Sequence, residues 1–121
     1  RDGLAEAPGD AFVVAAGHGV PELDREEAAA LRSSAETPCT AFKGATGYCG
    51  AATSLVEFVL AVAALRARVI PPVVGLAVPS DGIGLRLIHG EPASLPADGR
   101  LRARCFSRSW VGERAAITAS C

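Results

Sequence analysis

The 121-residue chain has no methionine, one tryptophan, one tyrosine and two histidines, and of its 12 basic residues only Lys43 is a lysine. The arginines are scattered and the net charge is −1. Nucleic-acid binding needs a basic face interleaved with stacking rings, so that class is excluded. The four cysteines, Cys39, Cys49, Cys105 and Cys121, contain no C-x-x-C pair and match no zinc or redox spacing. They read as free thiols of a protein kept in a reducing cytoplasm. No apolar run approaches the roughly 20 residues that cross a bilayer. The longest uninterrupted one on the principal helical stretch is Phe58 to Leu65. Arg1 to Asp10 lacks the apolar core of a signal peptide. The absence of an initiating methionine leads us to expect a processed chain, a fragment, or the ordered part of something longer. Internal repeats and low-complexity tracts are also missing.

What is present is apolar: hydrophobic residues make up 50% of the chain. Its centre is Pro38 to Leu76. A β-prone run from Cys39 leads to Lys43, a small-residue turn follows (Gly44-Ala45-Thr46-Gly47), and a helix is expected from about Gly50 to Arg68, stopped by Ile70-Pro71-Pro72. Leu55, Phe58, Val59, Leu60, Val62 and Leu65 are spread around that helix, and Glu57 is its only charge before Arg66. A helix apolar on all sides belongs inside a larger body. One sheet covers only one of its sides, so a second layer must come from further sequence or from a partner. The chain is therefore not expected to be a stable monomer.

Along the sequence, Ala11 to Gly17 reads as a buried strand ending at Gly17-His18-Gly19. Pro21 to Ser34 reads as a helix with Pro in its first turn and acidic residues toward its N-terminal end. Pro71 to Pro79 reads as an extended crossing, Gly82 to His89 as a strand and Glu91 to Gly99 as a Pro-rich loop. Leu101 to Phe106 and Ala115 to Ala119 read as two further strands around Trp110. Strands alternating with helices predict an α/β fold with a mostly parallel sheet.

Three positions stand out for chemistry. His18 follows a buried strand, and ligands gather at the carboxyl ends of strands in α/β sheets. Lys43 also follows a strand. Tyr48 and Cys49 lie at the start of the apolar helix, where free N–H groups and the helix dipole favour negative charge and lower a thiol pKa. As a structural group, Cys49 is simply a small residue at a crowded helix start.

The run Lys43, Thr46-Gly47, Gly50-Ala51-Ala52, Leu65-Arg66 and Val69-Ile70-Pro71-Pro72 resembles the ketosynthase family of the thiolase-like fold. The resemblance implies the C-terminal half of an αβαβα body, with a mixed sheet and a buried central helix. It places His18 and Lys43 at catalytic positions of the family and Tyr48 and Trp110 along a substrate tunnel. It also puts the family's nucleophilic Cys in the half that residues 1–121 do not include. Position 48 departs from the pattern: the family has a histidine there. A phenol titrates near pH 10, so it donates a hydrogen bond but is a poor acid or base at pH 7. Around Trp110 a glycine-rich family turn has lost most of its glycines. The run Gly19-Val20-Pro21-Glu22-Leu23-Asp24-Arg25-Glu26-Glu27-Ala28 is similar to that of chain-length factors, the non-catalytic ketosynthase-like subunits of type II polyketide synthases.

The expectation is a chain-length-factor-like subunit, not catalytic alone. It would pair with a catalytic ketosynthase or with the N-terminal half of the same fold, and work with an acyl carrier protein in the cytoplasm. No cofactor, metal, nucleic acid or membrane is implied. Two alternatives stand beside it: a divergent active β-ketoacyl synthase whose Cys lies in a separate half, and an assembly subunit without an acyl substrate.

Overall fold

The structure, a computed structural model, describes residues 10–17, 21–32, 35–76, 84–108 and 114–121, apart from the side chains of residues 51, 108 and 114. Strand β1 (Asp10–Val14) is followed by helix α1 (Pro21–Ala30) and strand β2 (Pro38–Thr40). Next come a single helical turn, α2 (Lys43–Thr46), a 3-10 turn at Gly50–Ala52 and helix α3 (Thr53–Ala67). Five short strands close the chain: β3 (Val69–Ile70), β4 (Arg86–Leu87), β5 (Ala93–Ser94), β6 (Arg102–Arg108) and β7 (Arg114–Ser120).

Five strands form one mixed sheet in the order β4-β2-β1-β6-β7. β1 lies in its middle, parallel to β2 and β6, while β7 runs antiparallel to β6 at the edge. A central parallel strand is buried on both faces, and β1 obeys this: Phe12, Val13 and Val14 are all excluded from water. The strand period of two then sorts its side chains. Phe12 and Val14 join Ala61, Ala64 and Leu65 of α3 in one core, together with Ala103, Cys105 and Ala119 of the outer strands. Val13 and Ala15 point the other way, into a smaller core with Leu31, Cys39 and Phe106. The sheet thus has α3 on one face and the end of α1 on the other.

Within the strand pair β1·β6, Asp10 is a buried carboxylate whose oxygens lie 3.5 Å from the Nε atoms of Arg102 and Arg104. It ties the start of β1 to its neighbour with charge in place of apolar contact.

The helix expected from Gly50 to Arg68 is found as the 3-10 turn plus α3. It ends where Arg68 takes a left-handed conformation (φ 59°). Other boundaries moved. The turn expected at Gly44–Gly47 is the helical turn α2, closed by N–H bonds from Ala45 and Thr46 to the Phe42 carbonyl. The Pro-rich loop contains β5, which pairs antiparallel with β3 in a separate two-stranded sheet. Of the strand expected over Gly82 to His89, Arg86–Leu87 is regular among the described residues 84–89, and residues 82 and 83 lie outside the described residues. No helix among the described residues is long and apolar enough to cross a membrane.

Candidate functional site

The carboxyl end of β1 is where charge converges. The Glu27 carboxylate of α1 accepts two backbone hydrogen bonds there, from Ala16 N–H at 2.6 Å and from Gly17 N–H at 3.0 Å. The Ala16 carbonyl is capped from the other side by Lys43 Nζ at 2.6 Å. Lys43 in turn donates to the Glu57 carboxylate of α3 at 3.0 Å, and both side chains are nearly or fully buried. Helices α1 and α2 therefore each send one charged group to the same peptide segment, and α3 sends one to Lys43.

Chain geometry explains why these groups meet. Gly17 leaves the strand with φ of 54°, in the left-handed region, and a Cβ there would stand 2.8 Å from the Ala41 Cβ. Only glycine fits both conditions. Phe42 is buried in the α3 core, so its neighbour Lys43 is set against the end of β1. Gly44 then packs so tightly on the following segment that a Cβ would lie 2.6 Å from the Val74 carbonyl oxygen.

Burial pushes the Glu57 carboxyl above its ordinary range; the Lys43 ammonium opposes this and the Glu27 charge adds to it. Burial likewise pushes the Cys39 thiol up to about 12, with the negative charge of Glu27 contributing. The Cys105 thiol is pushed to about 12 by burial and by Glu57. Since the thiolate is the nucleophile, neither buried cysteine is equipped to be one. Cys49 is exposed. Its backbone N–H donates to Thr53 Oγ1 at 3.0 Å, and that hydroxyl donates to the Gly50 carbonyl at 2.7 Å. This locks the approach to α3.

The expected site residues are distributed as follows. Lys43 is at the end of β1, adjoining the residue that precedes Gly17. Tyr48 lies in the connection between α2 and the 3-10 turn and is 53% exposed. His18 and Trp110 lie outside the described residues. Glu27 and Glu57 were not singled out from the sequence as site residues. Glu57 carried a usable signal, being the one carboxylate in an apolar helix, 14 positions after the only lysine. Glu27 carried none, because α1 holds three other carboxylates, Glu22, Asp24 and Glu26.

Beyond this cluster, α3 turns Leu55 (65% exposed) and Val59 (57% exposed) outward. Spaced four apart, they form one stripe along the helix, continued by the exposed Ala63.

Comparison with known proteins agrees with this geometry. The profile of the beta-ketoacyl synthase C-terminal domain matches residues 9–77, more than half of the chain. The chain is 38% identical over 99 residues to the ketoacyl synthase beta subunit of the tetracenomycin polyketide synthase of Streptomyces glaucescens, covering 78% of this chain and 24% of that protein. Its fold is similar to that of the ishigamide ketosynthase/chain length factor, with a TM-score of 0.82, 22% identity, and coverage of 93% of this chain and 28% of the other. A beta-ketoacyl synthase from Burkholderia phymatum STM815 is similar at a TM-score of 0.72 and 20% identity, covering 91% of this chain and 27% of that one. The chain spans about a quarter of the length of these relatives. The matched segment contains β1, the three helices and the whole charge cluster at the end of β1, and on that match the chain belongs to the beta-ketoacyl synthase family, as part of its C-terminal domain.

Proposed function

We propose that this chain is the C-terminal part of a chain-length-factor-like subunit of a polyketide synthase. It pairs with a catalytic ketosynthase, helps wall the tunnel for the growing chain, and works with an acyl carrier protein. The observation that carries this reading is Tyr48. It stands, half exposed, just before the helix α3, where the family resemblance calls for an imidazole. A phenol can hydrogen-bond a thioester oxygen, but it does not supply the acid–base or oxyanion support that decarboxylation of a malonyl extender needs. Similarity to the tetracenomycin beta subunit supports the same reading. In it, His18 and Lys43 keep family positions without completing a condensing site, and Tyr48 and Trp110 line the tunnel. The protein acts in the cytoplasm, as a heterodimer.

The test uses the intact protein that carries this segment, alone and co-purified with a catalytic ketosynthase and malonyl-loaded carrier protein. Alone, it should neither decarboxylate nor condense; with its partner, the pair should do both. Tyr48→Phe should be nearly silent, and Tyr48→Ala should change product length. Robust turnover by the protein alone overturns the reading and promotes His18 to an active role.

A further inference from the structure

We propose that Glu27 is a positioning residue that fixes the backbone at Ala16 and Gly17, just ahead of position 18 in the sequence. For its consequence in the assembled synthase, the inference rests on the function proposed above. Glu27 is ten and eleven positions from the two amides it holds, so helix α1 returns across the strand end and clamps it. The clamp is two-sided. Glu27 takes the N–H groups of Ala16 and Gly17, while Lys43 takes the carbonyl of Ala16. With the left-handed φ at Gly17, this leaves that peptide little freedom. A carboxylate is suited to the task because it accepts from two amides at once, and hydrogen bonds to charged groups are about twice as strong as neutral ones.

Charged and titratable groups from the neighbouring elements surround this brace. The groups facing it are Lys43 from α2, Glu57 from α3 and the Cys39 thiol from β2, with Cys105 of β6 beyond Glu57. Lys43 Nζ bridges the Ala16 carbonyl and the Glu57 carboxylate.

Hydrogen exchange at single amides in the intact protein tests this. Glu27→Gln keeps the shape but turns one oxygen into a donor, so only one amide can stay bonded. Exchange at the freed amide, Ala16 or Gly17, should rise on the order of 10- to 100-fold, the worth of a hydrogen bond to a charged group. Glu27→Ala should accelerate both amides. Val13 and Val14, in the same strand without Glu27 bonds, should be unchanged. Equal acceleration of all four amides, or of none, overturns the proposal. If the variants fail to fold, the wild type gives the answer by acid titration. The amide shifts of Ala16 and Gly17 must follow the Glu27 carboxyl resonance, and independent titration overturns the proposal. Product length in the partnered complex is a separate readout. Glu27→Gln should broaden it without weakening complex formation, and unchanged product length overturns the consequence at position 18. Should the complex make no polyketide at all, the proposed function falls while the amide result still decides the brace.

Discussion

The two faces of α3 are built the wrong way round for a helix in water. The covered face carries Thr53, Glu57, Ala61, Ala64 and Leu65. The uncovered face carries Leu55 and Val59, more than half exposed, with Ala63 after them. A surface helix puts its charges outward and its leucines inward. Here the one carboxylate of the helix is inside, held by Lys43, while Leu55 and Val59 are outside and Leu65 is buried. The small residues Ala61 and Ala64 let the helix lie close on β6 and β7, while the ion pair serves the end of β1. The outward stripe has no corresponding task within the described residues. Exposed apolar surface of this kind is a feature of interfaces, and we propose that a further half or a partner covers it.

Breaking the covered face should have the largest effect. Lys43→Met strips the counter-charge from Glu57, and losing one partner of a buried pair costs about 3–5 kcal/mol. Urea unfolding of the intact protein should show that loss. The double change Lys43→Met with Glu57→Leu should recover much of it, because two apolar residues replace two charges. Recovery of nothing would mean that the Ala16 cap, rather than the ion pair, is what Lys43 supplies.

On the uncovered face the effect should appear in association and not in folding. Leu55→Asp or Val59→Asp should weaken co-purification with the covering half or partner by about 2 kcal/mol, roughly 30-fold, as for a buried hot-spot residue. Near-normal association of both variants would show that this stripe faces solvent after all.

A smaller effect concerns pH. Burial raises the Glu57 carboxyl above its unfolded value, so the folded state holds this proton more tightly than the unfolded state. Its contribution to stability is then greatest at low pH and declines as pH rises from the ordinary carboxylate range through the raised value. Thermal midpoints measured across that window should fall more steeply with pH in the wild type than in Glu57→Gln. Equal slopes would mean that Lys43 cancels the burial. Smallest of all, Ala63→Ser on the outward stripe should shift the stability of the uncovered chain by no more than about 0.5 kcal/mol in calorimetry.

Much of this arrangement was legible before any coordinates. The run Ala11 to Gly17 gave a buried strand because it is short, apolar and closed by glycine. The helix up to Arg68 was marked by its length and by the prolines after Ile70. What escaped has a common cause. β3 and β5 are two residues each, and a two-residue strand is defined by its partner. Ala93–Ser94 is a strand because Val69–Ile70 lies beside it. The helical turn α2 escaped because Gly44 and Gly47 read as a turn, whereas the Phe42 carbonyl accepts two successive N–H bonds.

The amino-acid sequence by itself determined the apolar run of β1, the apolar character of α3, its single carboxylate, and the tyrosine at position 48. These are properties of a residue and its near neighbours, set by side-chain chemistry and by the periods of strand and helix. The tertiary structure alone decided which of the four carboxylates of α1 reaches the end of β1, and that Lys43 stands between Ala16 and Glu57. It also decided which side of α3 this chain covers. Those outcomes depend on groups 10 to 27 positions apart meeting in one buried place. The strength of a charge there depends on what else is buried with it, and no local pattern encodes that.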